Sequence, residues 1–289
     1  PSTEPDAPDG RLFPGPALKV TVVVAVVGAA CLGLAAARRH VLSLPEYAGR
    51  TAEVRLPGAA EVLGRPLARD VHGRLREVAA GRSVYDSSLL EELHQAAEAE
   101  PWIGEVERVS RRPDGTVTVE ATFRRPFALV RTDKSAPRDL IVVDEEGVPL
   151  PIAPERITPE YLITIFGVAG GPPEPGRPWP APDLQDGLEL LRLVLRRPYA
   201  DQITTIDVRN HAGRLSPTEP HLRMYAQLGR GRRTDIRFGR LPEGETDYCI
   251  SPARKLSWLD EFAARHGGRL AGVRHFIELR YDQPYASVN

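Results

Sequence analysis

Residues 101–123 read PWIGEVERVSRRPDGTVTVEATF, and this stretch decides the fold of the part of the chain around it. Two of its segments, 106–111 and 116–123, are rich in strand-forming residues, and the second alternates apolar with polar side chains. The Pro-Asp-Gly triplet of 113–115 separates them, and these residue types favour a turn. The stretch therefore predicts two β-strands joined by a short turn.

The segments before these strands predict one further strand and two helices. Residues 51–56 alternate like a strand and stop at a Pro-Gly pair. Apolar residues then recur at helical spacing over 67–80, and a second helix is expected after Asp86 or Ser87, either of which can cap it. The order strand, helix, helix, strand, strand predicts a two-layer α+β domain over residues 48–123.

From residue 124 onward, strands become the dominant pattern. Short strands are predicted at 140–143, 161–166, 203–208, 222–227, 234–238 and 276–281. Two helices are predicted among them, over 184–195 and 253–265. We therefore expect a second domain over 124–286, which is a mostly antiparallel β-domain with two flanking helices.

The N-terminal part of the chain predicts a disordered tail followed by a membrane span. Residues 1–16 are rich in Pro, Asp and Gly, and residues 20–37 carry no charge. Because about 20 apolar residues cross a bilayer core as a helix, we expect a transmembrane helix over 17–38. A cleaved signal peptide and a buried core helix are the two other interpretations. Positive charges flank the run on both sides and do not settle its orientation.

Composition and motifs favour a binding protein over an enzyme. The formal net charge of -1 gives no general attraction to nucleic acid. The two cysteines, Cys31 and Cys249, provide neither a disulfide framework nor a thiolate zinc site. The sequence contains no HExxH, GxSxG or phosphate-binding GxxxxGK motif. We therefore expect no metal, no cofactor and no catalytic residues.

Two features of the sequence are suited to binding a partner. Arginines are densest over 230–240, where either an acid- or phosphate-binding surface or an ordinary solvated face would account for them. The last predicted strand, extended to 276–282, alternates and stops near Pro284. At a sheet edge it would present unpaired backbone groups, to which a partner could add a strand. The alternative is that this strand pairs on both sides and belongs to the core.

Motifs along most of the chain resemble those of the FtsQ/DivIB family of bacterial division proteins. They are the Pro-Trp-Ile of 101–103, the Pro-Asp-Gly of 113–115, the Arg-Pro-Phe-Ala of 125–128, the Val-Asp-Glu-Glu-Gly of 143–147, the Lys-Leu of 255–256 and the Glu-Leu-Arg-Tyr-Asp of 278–282. The order of membrane anchor, POTRA domain and β-domain in that family is also the order predicted here.

The resemblance implies a non-enzymatic scaffold of the cell-division machinery without a cofactor. It implies a single-pass protein of the cytoplasmic (inner) membrane, with a POTRA-like domain and an FtsQ-like β-domain outside the cytoplasm. In that family the last strands of the β-domain bind FtsB, the partner of FtsL, by strand addition. The residues that the resemblance assigns to partner binding are Phe276, Glu278, Arg280, Tyr281 and Asp282 on the last strand, and Arg209.

Two other functions fit parts of the pattern. A POTRA-type chaperone for protein export or outer-membrane assembly would share the first domain, but that class has several POTRA units and a membrane barrel. An anchored sensor or enzyme of an unrelated type would need a ligand site that the sequence does not show. The segment 162–167 matches the family's pattern only faintly, which leaves a different set of partners open.

Overall fold

The computed structural model of the chain describes residues 16–43, 51–112, 114–134, 136, 139–156, 162–241 and 249–287. Over these residues the protein is an α+β structure with two β-sheets. The tail predicted over 1–16 lies outside the described residues except for Pro16. Pro113 of the predicted turn and Tyr161 of a predicted strand lie outside them as well.

The N-terminal helix α1, Pro16–Ser43, coincides with the predicted membrane span. A span needs about 20 consecutive apolar residues. Among the residues that the structure describes, no helix is both long and apolar enough to cross a membrane. This finding contradicts the transmembrane helix predicted over 17–38 and the single-pass inner-membrane location inferred from it.

The first sheet and its helices follow the predicted order with one addition. The elements are β1 (Glu53–Arg55), α2 (Ala59–Leu63), α3 (Arg65–Ala79), α4 (Leu89–Glu98), β2 (Ile103–Arg111) and β3 (Thr116–Phe123). The strand order is β1-β3-β2, with β1 parallel and β2 antiparallel to β3. The short helix α2 is the addition to the predicted strand, helix, helix, strand, strand pattern.

The core of this first unit lies between its helices and its sheet. Its fully buried side chains include Leu75, Leu89, Leu93, Val117 and Val119. Val117 and Val119 are alternate residues of β3, so the period of two in the sequence places both on the core side. The turn before β3 is held by Asp114, whose Oδ1 accepts a hydrogen bond from the backbone N–H of Thr116 at 2.9 Å.

The second sheet has eight strands in the order β11-β10-β9-β8-β7-β6-β4-β5. They are β4 (Ala128–Thr132), β5 (Ile141–Val143), β6 (Thr164–Val168), β7 (Ile203–Asp207), β8 (Leu222–Ala226), β9 (Thr234–Gly239), β10 (Phe276–Glu278) and β11 (Tyr285–Ala286). Two helices accompany them, α5 (Pro182–Leu195) between β6 and β7 and α6 (Pro252–Arg265) between β9 and β10.

This sheet is mixed: four pairs of neighbouring strands are antiparallel and three are parallel, so the antiparallel majority is smaller than the sequence predicts. A helical connection returns the chain to the same end of the sheet, so it joins parallel neighbours. Accordingly β6 and β7 are parallel, β9 and β10 are parallel, and β4 and β6 are parallel as well. The other neighbours are antiparallel. The two flanking helices lie where the sequence predicts them.

The two faces of the second sheet differ in chemistry. Side chains at matching register positions of neighbouring strands share a face. One face, which we call the inner face, carries an aliphatic row composed of Val130, Ile165, Ile206, Met224, Ile236 and Ile277. Buried leucines of α5 and α6, such as Leu188 and Leu259, pack against it and complete the main core. The opposite side is called the outer face.

Trp102 joins the two units of the protein. Its side chain is 2% exposed and belongs to a buried cluster with Val71, Leu129, Val142 and Leu150. Val71 lies on α3 of the first unit, whereas Leu129 lies on β4 of the second sheet and shares the outer face with its neighbours. The first unit therefore packs against the β4–β5 end of the outer face.

The substitution Trp102→Ala should lower the free energy of unfolding by about 3–5 kcal/mol, because it leaves a cavity where the two units meet. Urea denaturation followed by circular dichroism measures this loss. Leu215→Ala is the control, since Leu215 is 69% exposed and its truncation should change stability by less than about 0.5 kcal/mol. Similar losses in the two variants would show that the cluster does not hold the units together.

Candidate functional site

A band of charged and aromatic side chains crosses the outer face of the second sheet. The strands contribute Arg131, Phe166, Asp207, Arg223, Tyr225, Asp235, Arg237, Phe276 and Glu278, which share this face by register. Segments beside the strands add Arg209, Arg233 and Arg280. We call these residues the outer-face band. Helices α5 and α6 pack on the inner face and leave the band uncovered.

Three strands of the band share a motif in which an acidic residue precedes an arginine by two positions. The motifs are Asp207-Val208-Arg209, Asp235-Ile236-Arg237 and Glu278-Leu279-Arg280. Residues two apart on a strand point to the same side, so each acid and its arginine meet on the outer face. The aliphatic residue between them is buried in the core each time.

The first acid–arginine pair, Asp207 and Arg209, lies at the C-terminal end of β7. Asp207 is 4% exposed, and its carboxylate accepts hydrogen bonds from Nη2 of Arg209 at 2.7 Å and from the backbone N–H of Arg209 at 3.0 Å. The Tyr225 hydroxyl donates to the same carboxylate at 3.4 Å. The hydrogen bond to Asp207 raises the pKa of Arg209, and burial raises the pKa of Tyr225. Both side chains therefore keep their protons at neutral pH.

The pair at the end of β10 is more deeply buried. The carboxylate of Glu278 has no exposed surface, and it accepts hydrogen bonds from Nε and Nη2 of Arg280 at 2.7 and 2.9 Å. Arg237 approaches the same carboxylate at 3.7 Å. The hydrogen bond to Glu278 raises the pKa of Arg280. A buried carboxylate remains charged only where such partners replace its water, so this pairing fixes the position of Arg280.

Aromatic rings lie between the charged pairs and beneath the arginines. The distances from guanidinium carbon to ring centroid are 4.0 Å for Arg131 over Phe166, 4.7 Å for Arg209 over Phe166, 4.1 Å for Arg233 over Tyr225 and 4.2 Å for Arg237 over Phe276. A cation over an aromatic face is held by electrostatic attraction. The arginines of the band therefore lie flat on the sheet in defined orientations.

Two glycines make room for two of these arginines. Gly167 has a φ of 87°, and a Cβ there would lie 2.0 Å from Cγ of Arg209. Gly239 has a φ of 86°, and a Cβ there would lie 2.8 Å from Cγ of Arg280. Any other residue at either position would be strained in its backbone and would displace the arginine.

The structure brings together most of the residues that the sequence assigns to partner binding. Arg209, Phe276, Glu278 and Arg280 belong to the outer-face band, although Arg209 is distant from the others in sequence. Tyr281 and Asp282 lie in the bend that follows β10, and both are exposed. The band thus unites two parts of the chain that the resemblance indicated separately.

The strand predicted over 276–282 is shorter than expected and is not the edge of the sheet. Strand β10 ends at Glu278 and pairs with β9 on one side and β11 on the other. The chain bends after Arg280 and returns, and the backbone N–H of Ser287 donates to the carbonyl of Phe276 at 3.1 Å. The observed pairing of β10 therefore agrees with the alternative interpretation of the sequence, in which the predicted strand pairs on both sides. At this end of the described sheet the outermost strand is β11, and β5 is the strand at the other edge.

An aromatic cluster lies beside this outermost strand. The rings of Tyr281 and Tyr285 stack with centroids 6.2 Å apart, and Phe276 meets Tyr285 edge to face at 6.0 Å. Tyr281 is 52% exposed and Tyr285 is 50% exposed. The band therefore ends in an apolar surface that water reaches.

Sequence reasoning did not find the residues of the band on β4, β6, β7 and β8. The signal that could have found part of them is the acid–aliphatic–arginine spacing, which occurs on β7, β9 and β10. The arginine-rich segment 230–240 contributes Arg233 and Arg237, and the rings beneath them come from neighbouring strands. Among the described residues, no group of three or more His, Cys, Asp or Glu side chains could hold a metal ion.

The substitution Arg280→Gln should destabilise the protein by about 3 kcal/mol, because, of its described contacts, the buried Glu278 carboxylate keeps only the backbone N–H of residue 280 at 3.3 Å and Arg237 at 3.7 Å. The double variant Arg280→Gln/Glu278→Gln should recover most of this loss, since the uncompensated charge is then gone. Urea denaturation measures both. Arg196→Gln, at an exposed position, is the control. A double variant that is as unstable as the single one would contradict this account of the pair.

Comparison with known proteins does not supply an identity for the chain. No model of a known protein family matches it, and no curated protein matches it at a significant level. The resemblance to the FtsQ/DivIB family therefore rests on the short motifs quoted above, and its functional consequences remain predictions.

Proposed function

We propose that the protein is a non-enzymatic scaffold of the bacterial cell-division machinery, which binds partner proteins through the outer-face band and the adjoining strands β10 and β11. The observation that carries this proposal is the band itself, on the sheet face opposite α5 and α6, where arginines lie over aromatic rings. The motifs that resemble the FtsQ/DivIB family supply the cellular setting.

The composition of the band supports a protein partner. Arginine and large aromatic side chains are enriched among the residues that dominate the binding energy of protein interfaces. Ion pairs and ring contacts already fix the arginines Arg209, Arg237 and Arg280, so binding would cost little side-chain entropy. A surface that is ordered before the partner arrives is suited to tight binding.

The charge of the band favours an acidic partner segment. Its six arginines outnumber the three carboxylates that lie among them, Asp207, Asp235 and Glu278. Carboxylates of a partner would complement this excess, which mainly raises the association rate and the specificity. The family resemblance indicates FtsB-like and FtsL-like coiled-coil proteins as the partners.

Strand addition remains part of the proposal, with β11 as the place where it would occur. This strand has two residues and two register pairs with β10, Ile277 with Ala286 and Glu278 with Tyr285. A partner strand could extend the sheet beyond β11 or take its place, because so few backbone bonds hold it. Tyr281 and Tyr285 would then contact the partner's side chains.

The variants Tyr281→Lys and Arg233→Glu, the latter at an exposed arginine of the band, should each weaken binding of a co-expressed FtsB-like and FtsL-like pair from the same organism by tenfold or more, which is about 1.4 kcal/mol or above. The first removes an exposed ring, and the second reverses a charge on the band. Affinity purification of the full-length chain followed by titration of the purified pair measures the loss. Circular dichroism should show that both variants remain folded.

Arg196→Glu is the matched control for the charge reversal, because Arg196 is exposed at the end of α5 and away from the band. It should bind like the unaltered chain. If the pair binds all variants equally well, the band is not the binding surface. If it does not bind the unaltered chain at all, the division-scaffold proposal fails.

A further inference from the structure

A small cavity of about 160 Å³ lies beyond the end of β9, outside the outer-face band except for Arg280. Four basic side chains from separate segments line it: His221 before β8, Arg240 after β9, Lys255 on α6 and Arg280 after β10. Cys249 and Glu219 line it as well. The sequence pattern gave no sign of this convergence, because these residues are spread over more than 60 positions of the chain.

Lys255 is the unusual member of this cluster, because it is only 2% exposed. Its ammonium donates a hydrogen bond to the carbonyl of Arg240 at 2.8 Å and lies 4.8 Å from the ring centroid of Phe238. An ammonium has three N–H donors, and one of them is used by this carbonyl. No second acceptor for this ammonium lies among the residues that the structure describes, which leaves two donors for a group that enters the cavity.

The carboxylates near the cavity are engaged by arginines. Glu219 forms an ion pair with Arg223, and Glu278 is held by Arg280 and Arg237. Among the described residues, no carboxylate lies within ion-pair distance of Lys255 or Arg240. Counted over the residues that the structure describes, these two cations therefore give the cavity an excess of positive charge.

The pKa values of two lining groups, Lys255 and His221, agree with a cavity that is shielded from water and positively charged. Burial lowers the pKa of Lys255 to about 8, against weaker opposing effects of Cys249 and Glu278. Burial also lowers the pKa of His221, and the charges of Arg240 and Arg280 lower it further. A negative charge in the cavity would stabilise the protonated form of both groups.

We propose that this cavity binds a small tetrahedral oxyanion, either as a free phosphate or sulfate ion or as the phosphoryl group of a larger molecule. Arginine and lysine together are suited to such an anion, since a guanidinium supplies paired donors and an ammonium a point charge. Arg240 provides the guanidinium, because Arg280 donates from Nε, Nη1 and Nη2 to Glu278 and to the carbonyl of Thr218. Gly239 contributes by its lack of a side chain, because a Cβ there would collide with Arg280 and lie 3.7 Å from Nζ of Lys255. This inference is independent of the proposed scaffold function.

Cys249 provides a direct readout of the cavity. In a Cys31→Ser background it is the one remaining thiol of the chain, and neutral iodoacetamide reports its accessibility. An anion in the cavity should slow the alkylation, because it blocks the approach and disfavours the thiolate. We expect inorganic phosphate and sulfate each to slow the reaction at millimolar concentration, relative to chloride at equal ionic strength.

The substitution Arg240→Gln should abolish this protection, or weaken apparent anion affinity by roughly tenfold, because it removes one charged contact. Arg254→Gln is the matched control. Arg254 is an exposed arginine on α6, next to Lys255, and it does not line the cavity. Lys255→Met is a second variant that removes the buried charge at similar length. Protection that survives in Arg240→Gln and Lys255→Met would overturn the proposal, as would equal protection by chloride.

Sulfate also tests how anion binding depends on the charge of Lys255, because sulfate itself does not change its protonation near neutral pH. Arg240, Arg280, His221, Cys249, Glu219 and Glu278 are the charged or titratable groups around Lys255. Since anion binding favours protonated Lys255, sulfate affinity should be greatest below about pH 8 and decline above it. Affinity that does not change with pH between 6 and 9 would contradict a role for Lys255.

Phenyl phosphate distinguishes the two possible sources of the anion, a free ion and the phosphoryl group of a larger molecule. Protection of Cys249 by phenyl phosphate equal to that by phosphate favours a phosphoryl group, and failure of phenyl phosphate to protect favours the free ion.

Discussion

The carboxylate of Glu278 has no exposed surface, and the organisation of the outer face depends on how its charge is compensated. Burying an unpaired carboxylate would cost several kcal/mol. Arg280 compensates most of this cost through two hydrogen bonds, and Arg237 contributes from β9. The same contacts fix β10 against β9, orient Arg280 toward the small cavity and place Arg237 over Phe276. One electrostatic requirement therefore positions residues of both proposed sites.

The second sheet has separate roles for its two faces. The inner face is aliphatic and is covered by α5 and α6, which provides the packing free energy of this unit. The outer face is not covered by these helices, and it carries charged groups as well as aromatic rings. Acid–arginine pairs satisfy the charges there, and the rings of Phe166, Tyr225 and Phe276 fill the spaces between them. Such a face is stable without a partner and is still chemically suited to bind one.

The sequence was sufficient where a local pattern determines the structure. The alternation over 116–123 predicts β3 with the bounds observed, and the helical spacing over 67–80 predicts α3 to within a few residues.

The pairing of strands that are distant in the sequence was not predictable in this way. The position of β10 depends on β11 returning after a bend, and the mixed sheet depends on which strands the helices connect. Likewise the rings beneath Arg233 and Arg237 come from other strands, whereas Phe238 of the arginine-rich segment itself is buried in the core. The membrane span was predicted from apolar length alone, and the described residues contain no helix that meets this requirement.

Hydrogen–deuterium exchange of the full-length chain, with and without the purified FtsB-like and FtsL-like pair, tests the central claim most directly. The account predicts slower exchange in peptides that contain β10, β11 and the segment around Arg209, together with unchanged exchange in α3 and α4. Changes confined to α3, α4 or the first sheet would place the partner elsewhere. That result would contradict the claim that the outer face of the second sheet is the binding surface.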